Sequence, residues 1–308
     1  MSATQNNAEK CVGVEVSKTS LTAVCLDAGG QITGTRSADV DFAQPSSKQL
    51  INFVAELKGS FGHFSRVGVA VPGLIARGGK SVAFSAHIPE HSGLDLAAEI
   101  EAATGTAVVL ENDANAAAYG EIHLGAGRGS SDIFFATLGA GVGGAIIFDG
   151  KIWRGAAGFA GEFGYIPINS EGTRLEEVAS SANIIRRTRS RFHQDGTSSL
   201  VDLDEAALTI ADIVAAAEAE DDFAKLMLER TGIYVGTGIA SVINLLNIEK
   251  IVIGGEVLGS KHIILDAIVS RARELSFGPS FASTVIVASE LRENAAAAGV
   301  ALLALEAN

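Results

Sequence analysis

One short pattern occurs twice in this chain, and it limits the fold more than any compositional figure. Residues 11–17, 20–27 and 31–39 read as three strands, the last two joined by a turn at Ala28-Gly29-Gly30. Residues 133–152, IFFATLGAGVGGAIIFDGKI, repeat the order of strand, loop, strand, turn, strand. With Asp149 placed over Asp27, Thr137 falls over Glu15, Gly139 over Ser17 and Gly141 over Thr19. Two halves built on one plan imply a cleft between them.

The rest of the chain alternates helical and strand patterns. Residues 46–58 and 94–104 read as helices, the second stopped by Gly105, and 66–73 and 106–110 read as strands. The Gly-rich GAGRGSSD at 125–132 marks a hinge or boundary. Further on, 174–192, 205–218 and 221–247 read as helices, 250–255 and 284–288 as strands, and 260–276 and 294–305 as helices. This alternation predicts an α/β protein with helices packed over its sheets. The expected division is a polar, disordered tail at 1–10, an N-terminal lobe from 11–116 plus 290–308, and a C-terminal lobe at 117–289.

Charge and cysteine content exclude several classes. The 308 residues carry a formal net charge of −13, which repels nucleic-acid phosphates and anionic lipid surfaces. The N-terminal MSATQNNAEK is too polar for a signal peptide, and no apolar run is long enough to cross a bilayer, so a cytoplasmic location is expected. Cys11 and Cys25 read as small buried core residues, and the six histidines have no paired metal-ligand spacing.

Two stretches point to chemistry. In VLENDANAAAYGE, Asp113 stands where an apolar run meets an alanine-rich one; it either begins a helix as a cap or accepts a proton. In TLGAGVGG, glycines 139, 141, 143 and 144 either supply positive φ to a tight hairpin or let backbone N–H groups converge on an anion. Gly254 and Gly255 close a further strand at the end where α/β sheets admit ligands.

LENDANAAAYGE (110–121), TLGAGVGGAIIFDGKIWRGAAGFAGEFGYI (137–166) and INLLNIEKIVIGGEV (243–257), with VAVPGLI (69–75), resemble the ROK family of bacterial sugar kinases and sugar-responsive repressors. The resemblance runs from Cys11 to the last helix. It implies the actin-like ATPase (ribonuclease H-like) fold, with two lobes flanking a cleft, and an ATP-dependent kinase acting on a primary hydroxyl of a hexose or N-acetylhexosamine. Asp113 would be the catalytic base. Gly73, Asn112, Glu162, Tyr165 and Glu176 would face the sugar, Glu176 lying four residues before Ser180 as another family contact does. Thr19, Thr137, Gly139 and Gly141 would hold the phosphates of ATP, and Gly254 and Gly255 its nucleoside side; Lys18, which departs from the family loop, either pairs with a phosphate or is a solvated turn residue. Mg²⁺ would arrive with ATP near Glu15. A homodimer is the family's expectation.

Two departures from the family pattern matter. The first phosphate loop, Asp-x-Gly-Gly-Thr in relatives, reads EVSKTS here, with Glu15 for the aspartate and Ser17 and Lys18 for the glycines. A degenerate, non-catalytic sugar sensor of the same fold is therefore the alternative. Tyr165 replaces the histidine that precedes a cysteine cluster in zinc-binding relatives, and IPINSEGTRLEEVAS has no cysteine, so no structural zinc is expected. Tyr165 either bonds a sugar through its hydroxyl or closes the core of its loop.

Overall fold

The computed structural model describes residues 10–76, 78–191 and 196–307, without the side chains of 260–262. The expected tail thus lies outside the described residues except for Lys10, as does residue 192 at the end of the helix expected over 174–192. Contacts divide the chain into two units, one running to Arg128 with 154–160 and the segment from Asn294, the other comprising 129–153 and 161–293.

The first unit begins with strands β1 (Cys11–Val16), β2 (Ser20–Leu26) and β3 (Ile32–Asp39), then helix α1 (Ser46–Phe61) and strand β4 (Arg66–Val71). A short hairpin of β5 (Leu74–Ile75) and β6 (Val82–Phe84) precedes α2 (Leu96–Thr104), β7 (Ala107–Asn112) and α3 (Asp113–Leu124). The sheet runs β3-β2-β1-β4-β7, antiparallel in its first three strands and parallel thereafter. Leu50, Phe53, Val54, Leu57 and Phe61 recur at helical spacing on α1 and join Val12, Val14, Val67 and Val69 in the core. The Asp95 side chain caps α2 by accepting from Ala98 N, and Gly105 ends it at φ 64, as the sequence predicts.

The second unit holds strands β8 (Ile133–Leu138), β9 (Val142–Phe148) and β10 (Lys151–Ile152). Helices α4 (Glu176–Ala179), α5 (Ser181–Arg189), α6 (Ile210–Glu218) and α7 (Asp222–Leu246) follow. Strand β11 (Lys250–Gly254), α8 (Lys261–Leu275), α9 (Gly278–Ala282) and β12 (Val285–Ala288) complete it, and α10 (Ala295–Glu306) returns to the first unit. Its sheet runs β10-β9-β8-β11-β12, again three antiparallel strands followed by parallel ones. The same topology occurs twice, as the repeat implies. No helix of the described residues is long and apolar enough to cross a membrane.

Strand register corrects the alignment of the halves by one residue. Glu15 and Thr137 occupy the same place in their strands, opposite Thr22 and Gly143. Val16 pairs with Leu21 but Leu138 pairs with Val142, so the first loop is one residue longer. Asp27 therefore corresponds to Phe148, not to Asp149.

Two helices differ from expectation for local reasons. The stretch at 174–192 breaks because Ser180 adopts an extended ψ of 153°, separating α4 from α5. The helix expected from 205 starts at Ile210, where Thr209 and Asp212 exchange side-chain and backbone bonds in a capping box; residues 205–207 form only a 3-10 turn. Small residues bring α10 and α3 together, and a β-carbon at Gly299 would fall 1.8 Å from the Ala116 carbonyl oxygen. This backbone-to-backbone contact leaves no room for any side chain.

Candidate functional site

The corner between β7 and α3 answers the question raised by Asp113. Asn112, at ψ 143°, is the cap: its Oδ1 accepts from Asn115 N at 3.0 Å. The Asn112 amide nitrogen donates to the Gly73 carbonyl at 3.1 Å and to Asp113 Oδ1 at 2.9 Å. Asp113 Oδ1 also accepts from Ala114 N at 2.9 Å. Oδ1 is thus fixed by two donors, while the helix start is secured by its neighbour. Burial pushes the Asp113 carboxyl up to about 6, against the lowering effects of the Ala114 amide, His87 and Asn112. A half-buried carboxylate titrating near neutrality suits proton acceptance better than capping alone requires.

Glu15 lies on the same sheet, in register with Ala70 and, one strand further, with Glu111. Burial and the charge of Asp113 push its carboxyl up to about 8, so at neutral pH it keeps its proton. The loop after it is closed by Ser17. Its hydroxyl oxygen accepts from Thr19 N at 3.2 Å and Ser20 N at 2.9 Å, and its backbone N–H donates to Ser20 O at 2.8 Å. Lys18 and Thr19 are exposed beyond this turn. The amides of Thr19 and Ser20, which a phosphate-binding loop would present, already have an acceptor.

In the second unit, the loop between β8 and β9 is built differently. Gly139, Gly141, Gly143 and Gly144 all keep φ outside the left-handed region, so the hairpin does not need glycine for positive φ. Gly144 is required for space, since a β-carbon there would meet Gly161 O and Phe163 Cβ at 2.8 Å each. Gly139 N donates to Gly141 O at 2.9 Å, and no described residue accepts from the amides of Ala140 or Gly141. Thr137 pairs with Gly254 in the parallel ladder of β8 and β11. Gly255, at φ 99°, lies so close to the end of β8 that a β-carbon would fall 2.2 Å from Leu138 O. These contacts join the two glycine segments at one sheet end.

Two acidic residues of this unit, Glu162 and Glu176, interact, and Glu176 reaches that loop. Glu176 Oε2 accepts from Val142 N at 2.9 Å, at the loop's exit. Burial and the Glu176 charge raise the Glu162 carboxyl above its ordinary range. Tyr165 does not close the core of its loop. It is 55% exposed with the Arg174 guanidinium 4.5 Å above its ring, and the buried aromatic is Phe163. Among the described residues no cluster of three or more His, Cys, Asp or Glu is placed to hold a metal ion.

Three features had no motif to announce them. Ser17 as acceptor needed the turn geometry. Glu256, directly after the Gly254-Gly255 pair, accepts from Ser181 Oγ at 2.6 Å beside Gly139. Buried Glu111 pairs with Arg154, which stands 43 residues away.

A twice-repeated five-stranded α/β plan, with a capped Asn-Asp corner in one unit and paired glycine segments in the other, defines an actin-like two-unit protein. The chain belongs to the ROK family, whose model matches residues 11–307. Glucokinase of Halalkalibacterium halodurans is 39% identical over 55% of this chain and 55% of its own, and that of Thermotoga maritima 32% identical over 96% and 98%. Among solved structures, a ROK family glucokinase from Streptomyces griseus in complex with glucose and AMPPNP superimposes with a TM-score of 0.86 at 28% identity, covering 96% of this chain and 99% of that one. A ROK family transcriptional regulator, a homolog of the E. coli MLC protein, gives 0.85 at 27%, covering 97% and 78%.

Proposed function

We propose that this protein is an ATP-dependent sugar kinase that phosphorylates a primary hydroxyl of a hexose or N-acetylhexosamine. The observation that carries the reading is the division of labour at the corner: Asn112 caps α3, leaving Asp113 as a carboxylate titrating near 6. In this reading Asp113 accepts the hydroxyl proton as the γ-phosphoryl arrives. Gly73, Asn112, Glu162, Tyr165 and Glu176 orient the sugar. Thr137, Gly139 and Gly141 receive the phosphates, helped by Lys18 and Thr19, and Gly254 and Gly255 flank the nucleoside. Phosphoryl transfer needs chiefly alignment and charge stabilisation, which open amides and a fixed base supply. Mg²⁺ accompanies ATP as its counter-ion. Glu15 would be the residue to face the ion, whose own charge would favour the ionised carboxylate. A homodimer in the cytoplasm completes the proposal.

The closure of the first loop by Ser17 favours one second reading, a sugar sensor of the same fold that no longer binds ATP productively. A coupled ADP-release assay over hexoses and N-acetylhexosamines separates the two. The kinase reading expects turnover that falls about 10²–10⁴-fold in Asp113→Asn, the usual contribution of a general base. Sugar-dependent thermal stabilisation with no ADP release from any sugar would make the protein a sensor instead.

A further inference from the structure

We propose that Glu111 and Arg154 form a positioning pair that holds the Asn112-Asp113 corner in its reactive geometry; this rests on the kinase reading above. Glu111 is 5% exposed, and both of its oxygens have assigned partners. Oε1 accepts from Asn112 N at 3.0 Å and Asn115 Nδ2 at 3.1 Å. Oε2 accepts from Arg154 Nη2. Asn112 in turn holds Gly73 and Asp113 through its side-chain amide. A continuous path of polar contacts therefore leads from Arg154 through Glu111 and Asn112 to the carboxylate of the base.

Arg154 opens a segment, 154–160, that belongs to the first unit although the residues on either side belong to the second. Ala160 N closes this segment on Arg154 O at 3.1 Å. The ion pair attaches a loop distant in sequence to the residue immediately before Asn112. Glu111 is buried but half of the Arg154 side chain is exposed, and a partly solvated ion pair is a weak source of stability. Its directional bonds are worth more as a means of fixing orientation. Without Arg154, Glu111 keeps a charge it must solvate, and Oε1 is drawn away from the Asn112 amide. Without the Glu111 charge, the guanidinium loses its anchor.

The titratable groups facing Asp113 are Glu15 and His87, with the Glu111–Arg154 ion pair one link further along the path. The test measures ADP release by Glu111→Gln, Arg154→Met, Arg154→Lys and the double variant Glu111→Gln/Arg154→Met, each across pH. The single variants lose about tenfold or more in kcat with less change in KM, and Arg154→Lys recovers part of the loss. In Arg154→Met the acid limb of kcat/KM moves up, and in Glu111→Gln it moves down, by about half a pH unit or more each. The double variant has no unpaired charge, so its thermal midpoint returns toward the wild type while its kcat stays low. Wild-type kcat in a folded variant lacking the pair overturns the proposal. So does recovery of kcat together with stability in the double variant, which is what a purely structural role predicts. If the wild type releases no ADP with any sugar, the kinase reading fails by itself. The pair is then judged by sugar-dependent thermal stabilisation, which the double variant loses if the corner is positioned by it and keeps if it is not.

Discussion

Replacing Ser17 with glycine tests whether the first loop is closed by its own side chain. The Ser17 hydroxyl oxygen accepts from two amides, Thr19 N and Ser20 N. A phosphate arriving at that loop must displace it before those amides can turn to the ligand. Each bond contributes about 1 kcal/mol net, so the displacement costs about 2 kcal/mol. Ser17→Gly removes that obstacle and restores a residue that permits close approach by the nucleotide. Mg·ATP should then bind about 30-fold more tightly, from 1.4 kcal/mol per tenfold change. Part of the gain is offset by the looser glycine backbone, about 0.5–1 kcal/mol. Ser17→Ala separates the contributions, because it removes the acceptor without adding backbone freedom. Titration calorimetry with a non-hydrolysable ATP analogue measures both variants at constant Mg²⁺. Unchanged or weaker affinity in two folded variants would show that the Ser17 hydroxyl is not what limits the loop.

Further outcomes follow from buried titrating groups and from packing. If Asp113 is the base, kcat/KM rises with pH through about 6, and Glu15→Gln leaves that limb in place because Glu15 still holds its proton there; a limb displaced by a full unit in Glu15→Gln would refute the ordering of the two groups. Glu15 is raised in the folded chain, so its contribution to stability is complete below its ordinary 4.5 and is lost as pH rises toward 8. Thermal midpoints of Glu15→Gln should therefore exceed those of the wild type by a margin that widens across that window. His91, 1% exposed with Nε2 paired to Ser46 Oγ at 2.9 Å, has its ring held below the ordinary 6.5 by burial. Its contribution is present above 6.5 and is lost as pH falls, so His91→Gln should flatten the acid side of a stability-versus-pH curve. Gly299→Ala should lower stability by about 3 kcal/mol or more in denaturant titration, since the Ala116 carbonyl lies where the methyl group would go.

The sequence conveys sheet architecture and motif chemistry more readily than hydrogen-bond partners, for a physical reason. Strand runs such as VGVEV and IFFATL are buried on both faces, so their apolar content marks them directly, and the repeated strand order already implies a repeated topology. A glycine at a helix end, as at Gly105, has a local backbone cause and is read locally. The break at Ser180 was hidden because an apolar helical pattern continues across it, and only the extended backbone there separates α4 from α5.

The corner at 112–113 shows the same limit at the level of single atoms. Asn and Asp are equally good caps, and adjacent in a sequence they offer no sign of which takes the helix end. The choice is made by the Gly73 carbonyl, 39 residues earlier, which accepts from the Asn112 amide and turns its oxygen toward Asn115. Glu111 fixes the backbone just before it through a partner at Arg154, and neither connection has any periodicity to reveal it. Residue types thus announce which chemistry a chain could perform. Which of the two neighbours takes the helix end, and which carboxylate is left over, depends on partners that only the folded chain brings within hydrogen-bonding distance.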